Sequence, residues 1–104
     1  MSGPELTVGR SVIAEVARLA ALEVPDVLRV GRGGPRWRVV LSVAPIAVRV
    51  RGDEVSVRLW LIARPGADLV ATTKAVRAAV GAAIERLLGL SIGGVTVVID
   101  GVGG

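Results

Sequence analysis

Apolar residues recur at helical spacing over residues 10–23, where Val12, Ile13, Val16, Leu19 and Ala20 share one side and Ala14, Arg18 and Ala21 lie opposite. Gly9 is an acceptable N-cap, and Pro25 ends the helix by disfavouring α geometry at Val24. Residues 27–30 read as a short strand, and Gly31, Gly33, Gly34 and Pro35 as a loop. Residues 37–43 alternate weakly, with Trp37, Val39, Leu41 and Val43 against Arg36, Arg38, Val40 and Ser42. Pro45 would interrupt a central strand, so this segment ends there or lies on a sheet edge.

The clearest alternation runs over residues 46–63. A two-residue turn at Gly52-Asp53 suits a type II′ hairpin, which wants Gly at its first central position. That register opposes Val50 to Val55, Val48 to Val57 and Ile46 to Leu59 on one face. The other face receives Arg51 with Glu54, Arg49 with Ser56, and Ala47 with Arg58. Directly opposed residues share a face, so the agreement in polarity supports the pairing. One face belongs to the core; the other is an arginine face that also carries Trp60 and Ile62.

Arg64-Pro65-Gly66 breaks the strand and Asp68 can cap a second helix, whose stripe is Leu69, Thr73, Val76, Val80, Ala83, Ile84 and Leu87. Gly89 stands in the helix-terminating position. Residues 95–99 form a compact β-branched strand between glycines. Helix, two or three strands, helix and strand pack as an α+β two-layer sandwich, with two helices on one face of a small mixed sheet. The strand–helix–strand passage predicts a right-handed crossover to a parallel partner. Residues 1–104 read as a single domain without repeats.

Composition narrows the chemistry. The chain is 52% hydrophobic, and it contains no His, Cys, Tyr, Phe, Asn or Gln. A base near neutrality is normally His, and zinc sites draw mainly on Cys and His, so the residues argue against an enzyme, a cofactor or a metal. The carboxylates are scattered, and Lys74 is predicted to point outward. Gly31-Arg32-Gly33-Gly34 resembles a phosphate cradle only superficially: Pro35 and Arg36 follow where the nucleotide fingerprint needs glycine and a helix, so a flexible connector is expected. Arg51-Gly52-Asp53 is a hairpin tip whose likeness to an adhesion tripeptide is coincidence.

No secretory signal is visible, and the longest uncharged runs, residues 39–48 and 87–99, fall short of the ~20 residues a spanning helix needs. A cytoplasmic protein with at most peripheral membrane contact is expected. Net charge is +4, but residues 29–64 hold eight arginines against two acids. The candidate partner site is therefore Arg49, Arg51 and Arg58 with Trp60, joined by Arg36 and Arg38. It suits an acidic protein surface, an anionic membrane or, as the second choice, nucleic acid. Nucleic-acid sheets usually interleave several aromatics, and this face has one. Trp60 beside Ile62 would also make a self-association patch. A merely solvated face is the plain alternative.

Three passages carry a family resemblance. Residues 12–27, VIAEVARLAALEVPDV, resemble the opening helix and exit of the alkaline-shock (envelope stress response) family of Gram-positive bacteria. Residues 46–66, IAVRVRGDEVSVRLWLIARPG, resemble its hairpin, and residues 88–102, LGLSIGGVTVVIDGV, its closing strand. The resemblance implies a small non-catalytic protein at the inner face of the cell envelope, linked to stress tolerance. It implies that the membrane is reached through an integral partner rather than through an anchor of the chain's own, and the reading adopted is a scaffold acting through protein contacts. It supplies no catalytic or ligand residues. Residues 28–45 depart from the family pattern, Trp60 stands where tyrosine is common, and this chain is basic where members are frequently acidic.

Overall fold

The computed structural model describes residues 8–33 and 44–103. It runs α1 (Arg10–Leu22), β1 (Val27–Val30), β2 (Ile46–Arg51), β3 (Glu54–Ala63), α2 (Leu69–Leu88) and β4 (Ser91–Val102). The strand expected over residues 37–43 lies outside the described residues, as do Arg36, Trp37 and Arg38.

β3 organises the sheet. β2 pairs antiparallel with its first half in the register polarity predicts, from Arg51 opposite Glu54 to Ile46 opposite Leu59. Gly52 takes φ 60° and no non-glycine residue among the described ones, Asp53 included, has positive φ, as a type II′ turn requires. β1 pairs antiparallel with the last three residues of β3, continuing the same edge. β4 lies parallel along the whole opposite edge. The sheet is therefore mixed, with β1 and β2 end to end on one side of β3.

β4 is longer than residues 95–99 alone suggested, at twelve residues. It accommodates its glycines through two register shifts against β3, which leave Gly93 and Asp100 as extra residues. Such bulges bend a strand and re-aim a side chain. The one at Asp100 matters below.

Both helices cover one face of the sheet, where Val55, Val57, Leu59 and Leu61 are buried beneath Ile13, Ala17, Ala21, Val76, Val80 and Ile84. Full burial of each of these Val, Leu and Ile side chains contributes about 1.5–3 kcal/mol. The helices are rotated from the expected stripes. In α1 the alanines Ala17, Ala20 and Ala21 turn inward, while Val12 and Leu19 stay 48% and 50% exposed. In α2 Thr72 replaces Thr73 in the buried line, and Leu69 and Leu87 are 41% and 69% exposed. Both helices are apolar over more than one face, so period alone does not choose the inner one. Alanine lets α1 approach the sheet closely, and Thr72 satisfies its hydroxyl by donating to the Asp68 carbonyl at 2.8 Å.

The helix ends are set locally. The Asp68 carboxylate accepts from the Ala71 N–H at 3.1 Å, and Gly89 closes α2 in the left-handed region at φ 67°. The Arg64 N–H donates to the Asp26 carbonyl and its Nε to the Pro25 carbonyl, at 2.8 and 2.9 Å. These bonds place the exit of α1 beside the entrance of α2, so the two helices run antiparallel.

Candidate functional site

Strand alternation turns Ser56, Arg58 and Trp60 of β3 away from the helices, with Ala47, Arg49 and Arg51 of β2 and Thr96 of β4 beside them. Arg58 stands between Ala47 and Thr96, and Arg49 opposite Ser56. The two arginines are thus diagonal neighbours across the hairpin, about 7–8 Å apart at the backbone. Ala47, Arg49, Ser56, Arg58, Trp60 and Thr96 line a shallow groove of about 330 Å³. The guanidinium groups of Arg49 and Arg58 are exposed, and among the described residues neither makes a hydrogen bond or ion pair. Arg51 sits at the hairpin end opposite Glu54. The structure thus brings together Arg49, Arg58 and Trp60, while Arg51, at the hairpin end, is not part of the groove lining.

Trp60 does not stand open. The Arg32 guanidinium lies 4.8 Å from its ring centroid, and Arg32 Nε is 3.4 Å from the Asp100 carboxylate. The Gly33 N–H donates to the same carboxylate oxygen at 2.6 Å. The bulge in β4 puts Asp100 where it meets this segment. Gly33 is required there because a Cβ would run into the Asp100 carbonyl oxygen. The described part of the glycine-rich segment is thus pinned to the sheet rather than flexible. Its N–H is turned on the protein's own carboxylate rather than offered to a phosphate.

One expectation fails. Ile62 is only 3% exposed, with Gly33, Gly101 and Gly103 packed around its side chain. Trp60 and Ile62 therefore form no exposed apolar patch, and self-association through that pair has no surface to use. Arg32, weighed in the sequence only as part of the glycine-rich segment, joins the site, as do Asp100 and Thr96, which the sequence did not single out. The signal was the step from an apolar run into Asp100-Gly101, a bulge-forming pair at a strand end. Among the described residues no group of three or more His, Cys, Asp or Glu could hold a metal ion.

The described residues thus define a small two-layer α+β domain with helices on one side of its sheet and a largely uncovered, arginine-lined face on the other. The chain belongs to the alkaline shock protein 23 family, of cell envelope-related function, whose model matches residues 2–103. No curated protein matches it. In fold it is similar to the solved zinc form of a MamM CTD point variant, with TM-score 0.56 and 18% identity, covering 88% of this chain and 84% of that one. At that identity the likeness concerns the fold. No helix among the described residues is long and apolar enough to cross a membrane.

Proposed function

We propose that this is a non-catalytic envelope stress protein, a scaffold that holds an acidic protein partner on the open sheet face. One observation carries the reading: among the described residues, Arg49 and Arg58 flank a groove on the sheet face away from the helices, and neither has an acidic partner. Unpaired guanidinium groups are planar forks suited to carboxylates, and an uncovered basic face steers an acidic partner toward itself. The partner in this reading is an integral membrane protein, through which the domain meets the cytoplasmic side of the envelope. The family's envelope-related function supports that setting. An alphabet without His or Cys supports a role in binding rather than catalysis.

Nucleic acid is the weaker reading, because stacking needs a free aromatic face and Trp60 carries Arg32. The test is capture from native lysate, with and without nuclease, by the wild type and by Arg49→Glu/Arg58→Glu. The proposal expects an envelope protein that survives nuclease and whose capture falls at least about ten-fold, or about 1.4 kcal/mol, in the variant. Capture abolished by nuclease would hand the face to nucleic acid. Equal capture by the variant would remove this face as the site.

A further inference from the structure

On the side of the helices away from the sheet, α1 and α2 leave a second groove, about 430 Å³, deeper in apolar character than the arginine face. Ala20, Ala79 and Ala83 line it, while Leu19 and Leu87 stand beside them 50% and 69% exposed. Large aliphatic side chains projecting beside a groove of alanines are both the knob and the hole of a contact. Contiguous apolar exposure of this kind marks an interaction site. We propose that the occupant is a second copy of this chain, docked across a two-fold axis through the α1–α2 groove.

Charge selects that occupant. The groove has two charged residues in its lining, Glu23 and Arg86. Glu23 follows the end of α1, and Arg86 lies in the last turn of α2. Because the helices run antiparallel, the acid and the base sit toward opposite ends of the groove. A two-fold axis exchanges those ends, so Glu23 of each copy meets Arg86 of the other, as a self-complementary contact requires. The groove is thus balanced in charge on a chain of net charge +4. Docking two copies through the sheet face would instead set Arg49, Arg51 and Arg58 against their own kind, and juxtaposed like charges oppose association. The helix groove and the arginine face are separate surfaces, so a dimer leaves both arginine faces available.

The test is sedimentation equilibrium on the full chain at moderate salt, with far-UV circular dichroism to confirm folding. The wild type is expected to dimerise, Glu23→Arg and Arg86→Glu each to weaken the dimer at least ten-fold, and the double reversal to restore it. Leu87→Glu should give a folded monomer. A monomeric wild type, a dimer indifferent to either single reversal, or a double reversal that fails to recover would each overturn the proposal. So would dissociation by Arg58→Glu, which would move the contact to the sheet. Loss of partner capture with the dimer intact concerns the sheet-face reading and leaves this one standing.

Discussion

Arg32 covers Trp60, its guanidinium carbon 4.8 Å from the ring centroid, and this contact fastens the segment after β1 to the open face of the sheet. Arg32→Ala should free that segment and wet the indole. In a Trp37→Phe background, the emission of Trp60 is expected to shift to the red while stability falls by no more than about 1 kcal/mol, as for a partly exposed cation–π contact and ion pair. An unchanged spectrum would show that the ring is shielded by something else.

Two glycines should respond differently to an added methyl group. Gly33→Ala drives a Cβ into the Asp100 backbone, which cannot swing aside. A loss of about 1–3 kcal/mol is expected from urea denaturation. Gly93→Ala meets the Glu54 side chain, at 2.7 Å from its Oε1 and 2.9 Å from its Cγ, and that exposed side chain can move as a whole to another rotamer. Its stability should stay within about 0.5 kcal/mol of wild type. Equal losses at both positions would contradict this account of the contact at Asp100.

Ile84 and Leu87 both belong to the stripe that spacing predicts for α2, yet they should separate in a truncation experiment. Ile84 is fully buried, and Ile84→Ala is expected to cost about 2–5 kcal/mol. Leu87 is mostly solvent-facing, so Leu87→Ala should leave the monomer's stability nearly unchanged. Chemical denaturation at low protein concentration, where association does not contribute, distinguishes them.

Asp68→Ala removes the acceptor for the Ala71 N–H and should destabilise the start of α2 by about 1 kcal/mol. Asp68→Ser, which keeps a capping oxygen, should recover most of that loss. Failure of the serine variant to do so would mean that the carboxylate acts through something other than the cap.

The Glu15 carboxylate accepts two hydrogen bonds from Arg18, at 2.8 and 2.7 Å. That hydrogen bonding holds its carboxyl below the ordinary value of 4.5, aided by the charge of Arg18 and opposed by slight desolvation. A lowered folded pKa gives stabilisation that is present above the unfolded value of 4.5 and disappears as pH falls through the lower folded value. Carboxyl NMR titration should show the Glu15 midpoint rising in Arg18→Ala. Because the pair is exposed, its effect on the melting temperature should be small and confined to acid.

The hairpin was legible residue by residue because a one-residue slip would have set Arg49 and Arg51 among valines. The caps at Asp68 and Gly89 were legible because each is a local bond or a local dihedral. Helix rotation was not. Val12, Leu19 and Leu87 have the same hydropathy whether they face a sheet or a groove, and the choice depends on how closely alanine lets α1 approach. The cluster of Arg32, Gly33, Trp60 and Asp100 was hidden for another reason. It depends on a bulge in β4, which shifts side chains between faces without leaving a periodic trace.

The placement of β4 has a consequence for how the chain comes to be folded. Its twelve residues run along the edge of β3 opposite β1 and β2, and they follow β3 only after the twenty-residue α2. During synthesis β3 can pair with β1 and β2 early, while the backbone groups of its other edge stay open until β4 arrives. An apolar strand left open along one side is a template for another chain. The interval between the making of the hairpin and the docking of β4 is therefore when this protein is most exposed to misassembly, and when a chaperone would have the most to cover.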